Sequence, residues 1–390
     1  MKYILMNKNV EVLVATYDRN IKLFTKIIEI KNISYAPYGL EKIYKNNKDL
    51  TKLNHALNEW FKGRGIPSWR DRLDILLHRL NIDSEIELLD KCYGLSLTDQ
   101  YFIKPYNSKI MYEDINFFEH DFPYSEFLEA TFSNTNITFA KKSLMTPNNT
   151  TDGMLKKAWI IEDGVRYLIK GGYKNDIIEP FNEVLSSMIS KRLGFNTVNY
   201  ELDIYKDSVV SKCPCFINKD TELIKASNII DNKGNYIDEY EEYIKILENN
   251  GIKDAREKIE NMYILDFLIM NEDRHLNNFG VIRDSNTLKW LDVAPIYDNG
   301  ESLKIIDYSD DEMIISNEGR FFYEIVPFDF IIKVVKNIKR IDLSLLDGVV
   351  EEYDDLLHKY QYITHMSDRR INLMCTLLNR QINKLKKLIG

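Results

Sequence analysis

Cysteine and histidine are scarce in this sequence, and their scarcity excludes two classes of protein. Four cysteines (Cys92, Cys213, Cys215 and Cys375) in 390 residues are too few and too scattered for a disulfide framework. A single residue separates Cys213 from Cys215, whereas redox and zinc motifs place two residues between their cysteines. The six histidines never cluster, which argues against a zinc enzyme. We therefore expect ordinary reduced thiols and a cytoplasmic protein.

Long hydrophobic runs and an excess of positive charge are also missing. The apolar run near the first residue is too short for a signal peptide, and no run approaches the length of a membrane span. The net charge of −8 gives no global electrostatic attraction for nucleic acid. We therefore expect neither a membrane nor nucleic acid as a direct partner. A hydrophobic content of 44% in 390 residues is enough for two or three domains.

The most informative stretch is the polar segment 271–278, Asn-Glu-Asp-Arg-His-Leu-Asn-Asn, which lies between two apolar segments. Before it, the apolar spacing over 256–270 predicts a buried helix. After it, residues 279–291 predict a β-hairpin that leads to Asp298. Polar groups packed so densely between buried elements are costly unless they bind something.

Asp273 and Asn278 lie five residues apart, so a compact loop could aim both side chains at one point. An aspartate there can orient or deprotonate an attacking hydroxyl, and an asparagine oxygen can ligate a hard cation. Asp298 could complete a Mg²⁺ site, since magnesium favours oxygen ligands. Asn and Asp are also common turn residues, and for this pair alone the two interpretations are equally supported. Because Asp298 follows a predicted strand, the three residues together favour a functional site over ordinary turns.

The pattern of residues 1–135 predicts a separate structural unit. Strands are expected at 10–16 and 21–30, and helices at 49–61, 69–80 and 86–93. The arginines of this part are interleaved with aspartates, which favours a solvated helix face over an anion site. We interpret this part as an accessory docking domain. The arginines concerned are Arg64, Arg70, Arg72 and Arg79.

The next part begins with a turn-rich stretch and continues as two strands at 158–162 and 165–170. Thr151-Asp152-Gly153, next to Lys156 and Lys157, could cradle phosphates through backbone N–H groups and a cation, but one glycine is thin support, and this stretch alone favours a linker. Lys170 ends an apolar strand, and Glu183 lies in the first turn of a helix that starts near residue 180. The helix dipole alone explains a glutamate there. A strand lysine followed by such a glutamate is also how a phosphate-binding ammonium is held.

Taken together, the chain order is a polar loop, a strand lysine, a helix glutamate, an Asp-x4-Asn loop, a hairpin and an aspartate. Protein kinases arrange the groups for phosphoryl transfer in this order. The chain resembles the HipA family of bacterial serine/threonine kinases from about residue 143 onward. The residues that carry the resemblance are Asn271-x-Asp273-x-His275-x-x-Asn278, Ala294-Pro295-Ile296-Tyr297-Asp298, Thr151-Asp152-Gly153-x-x-x-Lys157 and Asn182-Glu183.

The resemblance implies an α+β, two-lobed kinase-like fold with an additional N-terminal domain. Residues 1–135 would form the accessory domain, 136–220 the β-rich lobe and 221–390 the helical lobe. ATP, Mg²⁺ and a protein with a Ser or Thr acceptor follow from the same resemblance. Members are often toxins of toxin–antitoxin pairs, which makes an antitoxin an implied partner. They often phosphorylate their own phosphate loop, and the hydroxyls near it here are Ser143, Thr146, Thr150 and Thr151.

The resemblance also implies a role for each matched residue. Asp273 would take the base position, and Asn278 and Asp298 the metal positions. Lys170 would contact the α/β-phosphates with Glu183 as its support. The phosphate loop would contribute Thr151, Gly153 and Lys157.

Three departures limit this transfer of roles. Asn277 stands where the family usually has lysine, which leaves the γ-phosphate one cation short. Asp298 is followed by Asn-Gly and not Phe-Gly, so no activation-loop mechanism is implied. The Asp273-Arg274-His275-x-x-Asn278 pattern also resembles the catalytic loop of phosphatidylinositol kinases. A lipid or small-molecule kinase and an inactive kinase-fold binding protein therefore remain alternatives, and for His275 a structural role is favoured over a catalytic one.

Overall fold

The computed structural model describes residues 1–67, 73, 77–78, 82, 84–132, 144–153, 155–172, 178–309 and 312–389. These residues form two compact units, each assembled from separate stretches of chain. Unit 1 comprises Met1–Ile169, Ile217–Ile224 and Ile282–Lys289. Unit 2 comprises Lys170–Phe216, Lys225–Val281 and Trp290–Gly390. The division into 1–135, 136–220 and 221–390 stays a prediction.

Strands and helices are both abundant, and most strands are short. The strands are β1 (Lys2–Asn7), β2 (Val10–Asp18), β3 (Leu23–Ile30), β4 (Tyr101–Pro105), β5 (Lys157–Glu162), β6 (Val165–Gly171), β7 (Glu201–Tyr205), β8 (Ser208–Pro214), β9 (Thr221–Lys225), β10 (Gly280–Asp284), β11 (Trp290–Val293), β12 (Ile305–Ser309), β13 (Glu312–Ile315), β14 (Glu318–Phe321) and β15 (Glu324–Pro327). The helices are α1 (Tyr38–Asn47), α2 (Leu50–Lys62), α3 (Glu85–Lys91), α4 (Tyr112–Ile115), α5 (Ser125–Phe132), α6 (Glu179–Leu193), α7 (Ala226–Ile229), α8 (Tyr236–Asn249), α9 (Ala255–Ile269), α10 (Phe328–Val334), α11 (Val349–Thr364) and α12 (Asp368–Ile389).

Unit 1 is built on an antiparallel sheet with the strand order β3-β2-β1-β4. Helix α2 covers this sheet with its apolar stripe, in which Leu53 and Leu57 are fully buried. Asp49 caps the start of α2 by accepting hydrogen bonds from the next turn, a common way to satisfy the first helical N–H groups. The strands expected at 10–16 and 21–30 and the helices expected at 49–61 and 86–93 are present within a few residues.

Arg64 corrects the interpretation of the arginine group as a solvated helix face. Arg64 follows α2, and its buried guanidinium donates to both carboxylate oxygens of Asp99 at 2.8 and 2.9 Å. A bidentate pair of this kind specifies geometry, because the planar fork of arginine matches a carboxylate. The helix expected at 69–80 and the arginines at 70, 72 and 79 lie outside the described residues.

The two short segments that join unit 1 from later in the chain are held by a buried arginine. Arg283 in β10 donates to Glu222 at 2.6 Å and to the Tyr101 hydroxyl at 3.1 Å. Its guanidinium also lies 3.5 Å from Glu41. Burial by itself lowers the pKa of Arg283, but Glu222 and the groups around it raise that pKa above its ordinary value. The N-terminal part of the chain is therefore fastened to these segments by paired charges.

Helices make up much of unit 2, and α9 lies in its core. Residues 262–270 of α9 and its end are all buried, which explains why the sequence there is apolar on nearly every side. The helices expected near 180 and over 256–270 are present as α6 and α9. The expected hairpin after residue 279 is β10–β11, in which the Ala294 N–H donates to Gly280 O at 2.9 Å.

Two parts of unit 2 differ from expectation. The apolar pattern of residues 343–357 predicts a single helix, but helix α11 starts only at Val349, because Gly348 adopts a left-handed conformation with φ of 83° and separates the helix from a 3-10 turn at Leu343–Leu346. The antiparallel pairs β12–β13 and β14–β15 were not anticipated from the sequence. Among the described helices, none combines the length and apolarity that crossing a membrane requires.

Candidate active site

A buried ammonium links three of the predicted residues in unit 2. The Nζ atom of Lys170, at the end of β6, lies 2.7 Å from Oε1 of Glu183 and 2.7 Å from Oδ1 of Asp298. The side chains of Lys170 and Glu183 are 6% and 2% exposed, while that of Asp298 is 36% exposed. Burial by itself lowers the pKa of Lys170, but the carboxylates of Asp298 and Glu183 hold that pKa well above its usual value. The lysine is therefore charged and fixed in place.

The segment after Asp298 is fastened to the first turns of α6. Oε2 of Glu183 accepts a hydrogen bond from the Asn299 N–H at 2.9 Å. Asn182, which is fully buried, donates to the carbonyl oxygens of Gly300 at 2.9 Å and Ser302 at 2.5 Å. The helix dipole is therefore not the only explanation for the Asn182-Glu183 pair at the start of α6, because both side chains bind the backbone that carries Asp298.

Arg274 joins the loop after α9 to the same segment. Its side chain has no exposed surface, and it forms a bidentate pair with Asp266 of α9 at 2.8 and 2.9 Å. It also donates to the carbonyl oxygens of Asn278 at 2.9 Å and Tyr297 at 2.7 Å. A single guanidinium thus fixes both ends of the 273–278 loop relative to Asp298, since its five N–H groups point in fixed directions.

Asp273 and Asn278 lie in one compact loop, and their shared role in a site stays a prediction. The side-chain amide of Asn278 donates to the backbone oxygen of Asp273 at 2.9 Å. The Asp273 carboxylate lies 3.6 Å from Nε2 of His275 and 3.3 Å from Nε of Arg320. Burial raises the pKa of the Asp273 carboxyl; Asp298 raises it further, while His275 and Arg320 act in the opposite direction. A carboxylate with raised proton affinity is suited to accept a proton.

His275 stabilises the conformation of the 273–278 loop. Its Nδ1 atom accepts a hydrogen bond from the Asn277 N–H at 3.2 Å, and its other nitrogen faces Asp273. Asn277 is itself held, because its side-chain oxygen accepts from the Ser227 hydroxyl at 2.6 Å and its backbone oxygen from the Tyr297 hydroxyl at 2.8 Å. These contacts agree with a structural role for His275, although its catalytic role stays a prediction.

The donor atoms of Asn278 and Asp298 have the chemistry that magnesium needs. Because the Asn278 amide nitrogen donates to Asp273, the other polar atom of that side chain is an oxygen. Asp298 offers a carboxylate on a backbone with φ of 58°, and its N–H donates to the Tyr200 hydroxyl at 3.2 Å. Among the described residues, no three His, Cys, Asp or Glu side chains gather as a metal site of their own. Two oxygen ligands suit Mg²⁺ only with phosphates and water completing the shell.

Thr151, Gly153 and Lys157 lie in unit 1. Gly153 has φ of 93°, a backbone conformation that other residues rarely adopt, so a substitution here would be strained, and the Lys157 ammonium lies 2.5 Å from where a Cβ atom would be. The hydroxyl of Thr151 donates to Asn148 O at 3.0 Å. The neighbouring hydroxyls are buried as well, and Thr150 donates to Leu95 O at 2.9 Å. Residue 143 lies outside the described residues.

Several residues that shape this site were not anticipated from the sequence. Asp266 and Arg274 form its buried ion pair, and Arg320 reaches Asp273 from β14. A signal existed for Asp266, because a carboxylate inside an otherwise apolar helix must find a partner. No such signal marked Arg320, which is one of many exposed basic residues.

No protein-family model matches the chain, and no curated protein matches it. Among solved structures, the chain is similar to HipA in the complex of the Shewanella oneidensis MR-1 toxin–antitoxin system HipA, HipB and its operator DNA. The TM-score is 0.53 at 10% sequence identity, over 99% of this chain and 97% of that chain. The Helicobacter pylori proinflammatory kinase CtkA matches with a TM-score of 0.40 and 17% identity, over 60% of this chain and 94% of that one.

At this level of identity, the likeness to HipA is a likeness of fold, and it extends over nearly the whole length of both chains. The observed mixture of helices and small antiparallel sheets agrees with it. The chain therefore has a HipA-like, α+β fold, which confirms the fold class and agrees with the resemblance that its motifs predicted.

Proposed function

We propose that this chain is an ATP- and Mg²⁺-dependent serine/threonine protein kinase. The observation that carries the proposal is the position of the Lys170 ammonium between Glu183 and Asp298, beside a loop that Arg274 holds against the same backbone. Phosphoryl transfer depends almost entirely on positioning and on electrostatic stabilisation, and buried, paired side chains supply both. Bound ATP with magnesium would supply the phosphoryl group and a Lewis acid at its oxygens.

On the nucleotide side, Lys170 would donate N–H groups to phosphate oxygens while Glu183 keeps its ammonium in place. Asp298 shares that ammonium at 2.7 Å and, being 36% exposed, keeps part of its carboxylate accessible. Asn278 and Asp298 would hold the magnesium through side-chain oxygens. In unit 1, Thr151, Gly153 and Lys157 would form the phosphate loop, where backbone N–H groups and a lysine suit an anion.

On the acceptor side, Asp273 would orient the hydroxyl of the substrate and accept its proton. The raised pKa of this carboxyl favours that role, because proton affinity in the bound state drives the transfer. His275 would support the loop through its hydrogen bond with Asn277 and its proximity to Asp273.

The proposal extends to a toxin in a toxin–antitoxin pair that acts in the cytoplasm. Its support is the shared fold with HipA, which the solved complex places with HipB and operator DNA. An antitoxin protein would then be the partner of this chain. Self-phosphorylation on Ser143, Thr146, Thr150 or Thr151 belongs to the same proposal, and an intact-mass increase of one phosphate would reveal it.

The deciding experiment incubates the purified chain with γ-labelled ATP and Mg²⁺, with dephosphorylated casein as the added protein acceptor. Wild type is compared with Asp273→Ala and Asp298→Ala, and with wild type in excess EDTA. We expect label on casein or on the chain itself, and a loss of roughly 10²–10⁴-fold in both variants. Unchanged transfer in Asp298→Ala would refute the metal assignment.

Other outcomes identify the alternatives. Label that enters phosphatidylinositol vesicles or a small alcohol, and never a protein, would indicate a lipid or small-molecule kinase. ATP binding without transfer to any acceptor, in wild type and variants alike, would indicate a kinase-fold binding protein.

A further inference from the structure

The hairpin β14–β15 lies directly against the loop that carries Asp273. The Arg320 N–H donates to the backbone oxygen of Glu272 at 3.1 Å. At the preceding residue, Gly319, a Cβ atom would lie 2.7 Å from Asn271 O and 2.6 Å from a ring carbon of Phe328. The two backbones therefore approach as closely as glycine permits.

Two buried aromatic rings keep the hairpin in this position. Phe321 and Phe322, at the hairpin turn, are 0% and 2% exposed. The Phe321 ring lies 4.8 Å from that of Tyr263 in α9, and the Phe322 ring lies 6.0 Å from that of Phe279, the residue after Asn278. Aromatic pairs at these separations are specific packing contacts. The backbone of Arg320 is thus anchored to the same elements that carry the catalytic loop.

From this anchored backbone, the Arg320 guanidinium reaches the Asp273 carboxylate, with Nε 3.3 Å from Oδ1. Both side chains are accessible, with 44% and 39% of their surfaces exposed. An exposed ion pair adds little to stability. A permanent cation also lowers the proton affinity of the residue we assign as the base. The pair is therefore poorly explained by stability or by proton transfer.

The position of Arg320 is explained by the phosphoryl group that must be transferred beside Asp273. A hydroxyl held by this carboxylate is about 3 Å away from it, and the phosphorus it attacks is about 3 Å beyond in a productive geometry. Oxygens of the transferring group therefore come within reach of a guanidinium that starts beside the carboxylate. Lys170, whose ammonium Glu183 and Asp298 hold in place, is assigned to phosphate oxygens on the nucleotide side, which leaves the position beside Asp273 to another cation.

We propose that Arg320 is a catalytic residue that binds the transferring phosphoryl group and supplies the positive charge that Asn277 does not. The inference rests on the proposed kinase function. Asp273 accepts the hydroxyl proton as the acceptor oxygen bonds to phosphorus and the bond from phosphorus to the bridging oxygen of the nucleotide breaks. Arg320 donates N–H groups to the oxygens of the group in transit, where negative charge must be stabilised.

The test compares Arg320→Ala and Arg320→Lys with Lys333→Ala, which removes one exposed positive charge from the following helix α10. Each protein is assayed for kcat, for KM of ATP and for thermal stability. We expect kcat of Arg320→Ala to fall by at least 100-fold, with KM changed less than threefold and Tm unchanged. Arg320→Lys should retain part of the rate, and Lys333→Ala all of it.

Chemical rescue separates catalysis from structure. Guanidinium chloride at low millimolar concentration should restore part of the Arg320→Ala rate and leave the Asp273→Ala rate unchanged. A kcat within threefold of wild type, or a loss that guanidinium does not rescue, would overturn the role of Arg320. Absence of transfer by wild-type protein would instead refute the kinase proposal itself, so the two failures are distinct.

Discussion

The Nζ atom of Lys170 lies 2.7 Å from Oδ1 of Asp298, although 128 residues separate them in the chain. Glu183 binds the same ammonium from α6 and also accepts the N–H of Asn299. The buried ammonium of Lys170 therefore holds together the end of β6, the first turn of α6 and the segment after the hairpin β10–β11.

Lys170→Met should lower the free energy of unfolding by roughly 3–5 kcal/mol, because it leaves the Glu183 carboxylate buried without its cation. The double variant Lys170→Met/Glu183→Gln should recover much of that loss, since no unpaired buried charge remains. Neither protein should transfer phosphate. Urea unfolding measures the first effect and labelled ATP the second. A double variant no more stable than the single one would contradict this account of the pair.

Arg274→Lys should reduce transfer by at least 10-fold even though the charge is kept. An ammonium is a point donor and cannot reach Asp266, Asn278 O and Tyr297 O together as the guanidinium does. Small displacements of the loop are costly for a reaction that depends on alignment.

The matched control for that variant is Arg256→Lys, whose guanidinium pairs with Glu241 at the surface of the same unit. This change should alter the transfer rate by less than twofold. Equal rates for Arg274→Lys and wild type would show that Arg274 does not align the loop.

Gly319→Ala should slow transfer and destabilise unit 2 by about 1–3 kcal/mol, the usual cost of an added group in a packed place. Its methyl group would lie 2.7 Å from Asn271 O, so the hairpin must move away from the loop and take Arg320 with it. Affinity for ATP should change little. A stable, fully active Gly319→Ala protein would show that this close approach is not needed.

Stability should fall as pH rises above 9, in part through Cys92 in unit 1. Burial raises the pKa of this thiol from 9.0 to about 11. Below pH 9 both folded and unfolded chains keep the proton, so the full stability is present. Between 9 and 11 only the unfolded chain releases it, which lowers stability by up to about 1.4 kcal/mol per pH unit.

Urea unfolding of wild type and Cys92→Ala at pH 8, 9 and 10 measures that contribution. The decline with pH should be shallower in the variant. Parallel declines in the two proteins would show that Cys92 does not keep its proton in the folded chain.

Much of the site could be predicted because its signals are local. The polar segment 271–278 follows a helix with an apolar pattern, and the spacing of Asp273 and Asn278 already implied a shared loop. Periodicity reports burial along one element, since it depends on neighbours within a few residues. For the same reason α6, α9 and the strand that ends in Lys170 lie close to where they were expected.

The missed features depend on partners far away in the chain. Arg64 looked like part of a solvated face, yet it is buried on Asp99, 35 residues later. Arg320 looked like an ordinary exposed arginine, and its closeness to Asp273 depends on how a hairpin packs through Phe321. A single side chain carries no local sign of the element that will lie against it.

The amino-acid sequence by itself determined which groups are available for chemistry and the order in which they occur, because composition and short-range spacing decide both. Only the tertiary structure decided that Lys170 is shared by Glu183 and Asp298, that Arg274 holds the loop, and that Arg320 faces Asp273. Those outcomes depend on burial and long-range packing, where a charge is stable only if the folded chain brings it a partner.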